Sequence, residues 1–192
     1  MPSPLLTVAI LAGGAASRLG GRDKGLEPLA GKPLIEWVVA ACPRSVELVI
    51  VANRNLDEYA RYGRVVTDAE AGFRGPLAGV ASALAAARTS RVLTLPVDCP
   101  DPPSDLAKRL AALDAAATVA HDGERRQPLF ALYRVELAEA AAAGAKAGQG
   151  VWEWQESIGA IEVDFADERR QFHNLNTPEE FAAYADVLRS RD

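Results

Sequence analysis

Four short runs of apolar and β-branched residues, TVAILA at 7–12, ELVIVA at 47–52, RVVT at 64–67 and RVLTLP at 91–96, alternate with segments whose apolar residues recur at helical spacing. Near-continuous runs of this kind predict strands buried on both faces. The intervening segments, PLIEWVVAAC, NLDEYARY and PLAGVASALAAAR, predict helices, two of them opening on a proline, which suits the first helical turn. Strand, helix, strand, helix dictates an α/β chain with a mostly parallel sheet.

The second half extends the pattern. An Ala/Leu-rich helix is expected near 104–115, and strands ATVAHD and PLFALYR are joined by the short polar DGERRQ, a hairpin signal. One antiparallel strand on a mainly parallel sheet is common in mixed sheets. Helical segments follow over 135–157, then a strand at 160–165. Thr177, Pro178 and Glu180 then form a capping box with proline at the first position of a closing helix.

At 192 residues the chain is expected to form a single domain over 1–192, long enough to bury roughly 70% of its unfolded surface. Its net charge of −5 argues against nucleic acid as a partner, because phosphate neutralisation calls for a basic face. Any anion must be bound locally. No apolar run approaches the roughly 20 residues that span a bilayer, so no membrane partner is expected. LLTVAILAGGAAS has the look of a signal h-region, but no Lys or Arg precedes Arg18, which favours a first β-strand and a cytoplasmic chain. Cys42 and Cys99 match no disulfide framework or zinc spacing and fit a reducing compartment.

In open α/β sheets ligands bind outside the carboxyl ends of the strands. The first strand is followed by LAGGAASRLGGRDKG, the second by Asn53, the third by Asp68 and the fourth by Val97-Asp98. Gly13 and Gly14 permit close backbone approach to a ligand, and exposed amides there would make an anion nest. Arg18 and Lys24 add mobile cations, each worth at most about 4 kcal/mol against a phosphate charge at an effective dielectric of 20. The run contains neither a GxGxxG dinucleotide fingerprint nor a P-loop, so by itself it reads equally as a flexible glycine loop. Asp98 ends a hydrophobic strand, from where a carboxylate reaches Mg²⁺ while the metal keeps waters and phosphate oxygens; it could also simply open a turn among prolines. Asn174 and Asn176 face the same side of an extended segment and either orient a ligand or form Asx turns into the helix. His121 and His173 read as structural histidines, and Trp37, Trp152 and Trp154 as packing residues, with Trp152 and Trp154 also able to wall a second pocket. Residues 15–24 and 68–75 carry the glycines and polar residues of mobile loops.

Taken in order, LAGG-x3-R-x-GG-x-DK-G, LAGKPL, GPLAG at 75–79, PVDCP, QPLFALY at 127–133 and NLNTPEE closely resemble the molybdenum cofactor guanylyltransferases over nearly the whole chain. LAGG-x3-R alone specifies only the nucleotidyltransferase superfamily; GG-x-DK and NLNTPEE narrow it. The resemblance implies a Rossmann-like nucleotidyltransferase (GT-A-like) three-layer fold. It implies transfer of GMP from GTP to molybdopterin, usually already carrying molybdenum, with release of pyrophosphate and with Mg²⁺ as cofactor. Molybdoenzyme or chaperone partners would receive the product.

By the same resemblance Leu11, Ala12, Gly13 and Gly14 wrap the nucleotide, with Gly75 and Gly79 of GPLAG on the same side. Arg18 and Lys24 match the phosphate-binding cations, Asn53 and Asp68 the nucleoside-contacting positions, and Asp98 the magnesium ligand. Asn174 and Asn176 match positions near the pterin, and the 122–128 turn with Arg125, Arg126 and Gln127 is expected there too. Two residues depart from the family pattern: Gln127 stands where a His or another residue often precedes the Pro, and Cys99 where Thr or Met is common. A cytidylyltransferase acting on the same pterin is the enzymatic alternative, against which the Asp23-Lys24 pair tilts toward GTP. A non-catalytic nucleotide-binding regulator would be expected to lack the metal carboxylate or the loop cations, and this chain has all of them.

Overall fold

The computed structural model describes residues 6–13, 23–43, 46–67 and 75–190. Gly14, Arg18 and Asp68 lie outside the described residues, as does most of the two loops expected to be mobile.

The strands predicted in the first half form as expected: β1 (Thr7–Leu11), β4 (Glu47–Val51), β5 (Arg64–Val66) and β6 (Arg91–Pro96). With β7 (Ala117–His121), β8 (Arg126–Arg134) and β9 (Ile161–Asp164) they make a seven-stranded sheet in the order β5-β4-β1-β6-β8-β7-β9. All neighbours are parallel except at β8, which runs antiparallel to both β6 and β7. The hairpin predicted from DGERRQ is therefore the one reversal in the sheet. Its ladder is interrupted where the partner of Val119 is Ala131 and that of Ala120 is Gln127. Pro128, which has no N–H for a ladder, falls in the skipped stretch.

Alternation along β1 assigns its side chains to two separate cores. Val8 and Ile10 join Ile35 and Val38 of α1 (Leu34–Ala41) and Leu106 and Leu110 of α4 (Leu106–Ala111). Ala9 and Leu11 join Leu77, Val80 and Leu84 of α3 (Pro76–Ala86), Ala141 and Ala145 of α5 (Ala138–Lys146), and Trp154 of α6 (Val151–Ser157). Helices thus cover both faces, giving the three layers implied by the resemblance.

Two helices are shorter than their apolar spacing predicts. The segment at 55–62 is helical only over α2 (Leu56–Tyr59), and the one at 104–115 only over α4. Beyond α4, Asp114 meets the guanidinium groups of Arg91 and Arg134 at one edge of the β6–β8 ladder.

A small hairpin that the sequence reading missed, β2 (Pro28–Leu29) and β3 (Lys32–Pro33), turns through Ala30 and Gly31, both at positive φ. Its Leu29 packs with Leu34, Leu175 and Ala185 in a third cluster beside α7 (Pro178–Arg189). The helix start is as predicted: the Thr177 hydroxyl accepts from the Glu180 amide at 3.2 Å, and the Glu180 carboxylate accepts from the Thr177 amide at 2.9 Å. Packing of α7 on the hairpin carries residues 174–176 to the sheet.

Candidate active site

The parallel ladder runs one residue past the strand ends and brings three of them level. The Ala12 amide donates to Val51 at 2.9 Å, Ala52 to Val66 at 3.0 Å, and Val97 to Leu11 at 3.2 Å. Gly13, Asn53 and Asp98 therefore follow neighbouring strands on the same edge of the sheet. A β-carbon at Gly13 would lie 3.7 Å from the Asn53 amide nitrogen, so Gly13 and Asn53 are side by side.

Residues 173–176 are joined to this edge by a backbone hydrogen bond of 2.8 Å from the Leu175 amide to the Asp98 carbonyl. The Lys24 ammonium then closes the cluster. It lies 2.9 Å from Asp98 Oδ2 and 2.7 Å from Asn176 Oδ1, with 25% of the Lys24 and 18% of the Asp98 side chain exposed. The Asn176 amide group donates back to the Asn174 carbonyl at 3.2 Å, which fixes its side-chain oxygen toward Lys24. Beneath it, the backbone N–H of Asn176, with that of Thr177, holds the Glu180 carboxyl below the usual carboxylate range. Lys24, Asp98, Asn174 and Asn176 thus form one cluster.

Asp98 Oδ1 and Asn174 Oδ1 are buried without a hydrogen-bond partner among the described residues. A buried acceptor without a donor is costly and points to a group supplied by a ligand. Among the described residues no group of three or more His, Cys, Asp or Glu is gathered to hold a metal. One free carboxylate oxygen fits an ion of the Mg²⁺ type, whose remaining ligands are waters and substrate phosphates.

The other expected site residues sit apart from that cluster. Gly75 caps α3 at φ +96, a conformation suited to glycine, and Gly79 faces Leu11 and Val51, letting α3 approach the sheet closely. Gln127 is buried, and its amide donates to Asp122 Oδ2 at 2.6 Å. Asp122 also accepts from the amides of Glu124 and Arg125. Burial pushes its carboxyl up, but these donors outweigh burial and hold it below the ordinary value.

Arg125 opens onto a cavity of about 660 Å³ that Arg169, Arg170, Phe172, His173 and Tyr184 also line. Arg169, Arg170 and Phe172 gave no signal in the sequence, because they come from an irregular 3₁₀ segment (Ala166–Phe172) with a non-helical residue at Glu168, whereas Tyr184 reaches the cavity from α7. His121 accepts from the Gly123 amide at 3.1 Å, a structural contact. Trp154 is core, whereas Trp152 is exposed and stacks near Arg126.

Sequence reasoning also missed how Lys24 is anchored. Asp23, with 6% of its side chain exposed, accepts from the Tyr59 hydroxyl at 2.5 Å, the Gly25 amide at 3.2 Å and the Asn55 amide group at 2.9 Å.

A doubly wound sheet with Gly13, the Asp98 carboxylate and Lys24 gathered at the carboxyl ends of its parallel strands has the binding edge of a nucleotide-handling α/β enzyme. A profile of the MobA-like NTP transferase domain matches residues 8–161, and the chain belongs to that family of nucleotidyltransferases. It is similar to the molybdenum cofactor guanylyltransferase of Burkholderia ambifaria strain MC40-6, at 44% identity over 200 residues covering 96% of this chain and 97% of that protein. The molybdenum cofactor guanylyltransferase of Shewanella amazonensis is 41% identical over 190 residues, covering 95% and 97%. Among solved structures, the molybdopterin-guanine dinucleotide biosynthesis protein A of Archaeoglobus fulgidus shares the fold with a TM-score of 0.80, over 97% of this chain and 100% of that one, at 23% identity.

Proposed function

We propose that the protein transfers GMP from GTP to molybdopterin, forming the guanine dinucleotide cofactor and releasing pyrophosphate. The observation that carries the reading is the convergence of Lys24, Asp98 and Asn176 at the carboxyl edge of the sheet. The two guanylyltransferases similar over nearly the full chain support the choice of substrates.

In this reading the terminal phosphate of molybdopterin attacks the α-phosphorus of GTP in line. A new P–O bond forms as the bond to the bridging oxygen of the β-phosphate breaks. The attacking phosphate is already ionised, so the protein's task is to align two anions and neutralise charge gathering on the leaving pyrophosphate. Lys24 and Arg18 serve the leaving group, and the Leu11 to Gly14 segment wraps the nucleotide beside Asn53, Asp68 and the Gly75–Gly79 helix start. Asp98 would hold Mg²⁺ through its unpartnered oxygen, and the ion would supply positive charge at the α-phosphate.

Asn174 and Asn176 face the acceptor. The neighbouring cavity offers Arg125, Arg169, Arg170 and His173 to an anionic pterin phosphate, which would compete with Asp122 and Glu124 for Arg125 and Arg169, while Phe172 and Tyr184 offer ring surfaces. Gln127, on the pterin side in this reading, also fixes Asp122 at that wall. Two free cysteines, Cys42 and Cys99, fit a reducing compartment, which we take to be the cytoplasm.

The test is thermal unfolding with Mg²⁺ and each of GTP, CTP and ATP. Ligand at 100 times its Kd adds about 2.7 kcal/mol, which for a chain of this size raises Tm by roughly 5–10 °C. GTP alone is expected to act. A CTP-selective shift would transfer the assignment to a cytidylyltransferase, and no shift with any nucleotide would remove it.

A further inference from the structure

We propose that Asp23 is a positioning residue for the transfer reaction, setting the direction of Lys24 and tying it to the segment that follows β4. The proposal rests on the transferase reading above. Lys24 reaches Asp98 and Asn176 on a flexible four-carbon stem, so its backbone must be held if the ammonium is to stay aligned.

Asp23 supplies that hold. Its Oδ1 accepts from the Tyr59 hydroxyl and the Gly25 amide, and its Oδ2 accepts from the Asn55 amide group, with Arg54 Nε 3.4 Å away. The carboxylate therefore caps the turn that carries Lys24 (Lys24–Leu26) and fastens it to α2. On the opposite side Gly25 is pressed against the same support. A β-carbon there would lie 2.4 Å from Tyr59 Oη and 2.9 Å from Val97 Cγ2, and Val97 precedes Asp98. Asn55 sits at φ +51, a left-handed conformation that also aims its amide at Asp23. Asn53 is two residues before it, so one buried carboxylate fixes the lysine loop and the segment after the second parallel strand relative to one another.

The test is steady-state kinetics with GTP and molybdopterin for wild type, Asp23→Ala, Lys24→Ala and the double variant. If Asp23 acts through Lys24, Asp23→Ala lowers kcat by roughly 10- to 100-fold, as expected for misplacement by about 1 Å. The double variant is then no slower than Lys24→Ala alone. Losses that multiply in the double variant would overturn the proposal.

Should Asp23→Ala fold poorly, Asn55→Ala and Tyr59→Phe each remove one donor. Their smaller losses must likewise vanish in the Lys24→Ala background; losses that persist there overturn the proposal. A second arm does not depend on turnover: a crystal structure of Asp23→Ala should show the ammonium displaced from Asp98 and Asn176, and an unchanged contact would overturn the proposal. Absence of any GTP turnover by wild type would instead count against the transferase reading, leaving the crystallographic arm to decide the role of Asp23.

Discussion

The ammonium of Lys24 and the carboxylate of Asp98 lie 2.9 Å apart although 74 positions separate them in the chain. One oxygen of the carboxylate is neutralised by protein and the other is left for a ligand. If Asp98 holds Mg²⁺ as proposed, the metal is expected to bind together with an anion that draws the lysine away, because both cations compete for a single negative charge.

Asp98→Ala removes that charge. Turnover is expected to fall at least about 10²-fold, the usual effect of losing one transition-state stabiliser. Protection of the fold by Mg²⁺ with GTP should weaken in parallel, whereas Tm without ligand should stay near wild type. Pyrophosphate release and thermal unfolding measured on the same preparation check both, and near-normal turnover would exclude the assigned role.

Asn176 and Thr177 are adjacent but should separate cleanly. Asn176→Ala deletes one hydrogen bond to a charged group, worth about 1.5 kcal/mol, and should slow turnover roughly tenfold with little change in stability. Thr177→Ala deletes the helix cap and should cost about 1 kcal/mol in stability with little change in kcat. Denaturation curves beside kinetics would reveal a reversed pattern.

Gly25→Ala should be disruptive beyond its size. Its new methyl would sit 2.4 Å from the Tyr59 hydroxyl oxygen, and overpacking of this kind costs roughly 1–3 kcal/mol. Tyr59→Phe in the same chain should recover part of the loss by removing that oxygen, and only part, because Val97 Cγ2 remains 2.9 Å away. Because Tyr59→Phe also removes a donor to Asp23, the check is the coupling: losses in the two single variants that simply add in the double variant would show that the clash lies elsewhere.

At the other end of the parallel strands, Glu47 accepts from the Thr7 hydroxyl at 2.7 Å, Arg64 at 2.6 Å and the Arg88 amide at 3.0 Å. Burial pushes its carboxyl up, but these donors prevail and hold it below the ordinary value. A carboxyl depressed on folding stabilises the fold above its unfolded value of about 4.3 and loses that contribution as pH falls through the folded value. Glu47→Ala should therefore cost about 1–3 kcal/mol at pH 7, with the gap to wild type closing below about pH 4. A gap constant from pH 7 to 3 would contradict this.

The sheet was legible because each strand states its own environment. Alternate residues of TVAIL enter opposite cores, which explains a run with no polar face. The position of Asp98 at a strand end and the cap at Thr177 were equally local signals. What escaped were relations between distant residues. Nothing in the spacing of Asp23 and Tyr59, 36 positions apart, says that one hydroxyl closes on the other's carboxylate. The β2–β3 hairpin was hidden because its turn is Ala30-Gly31, without the Asn-Gly or Asp-Gly pair that usually marks two residues at positive φ. The motif position of Gln127 likewise carries no sign of the buried carboxylate to which its amide donates.

Lys24 and Asn176 meet across 152 positions of chain. At translation speeds of roughly 5–20 residues per second, the lysine leaves the ribosome about 8–30 s before the asparagine that orients it. During that interval a nascent chain can assemble the strands bearing its nucleotide loop but not the completed cluster. On the proposed assignment, a chain stalled before residue 176 emerges would hold Lys24 and Asp98 without the asparagine that completes their cluster.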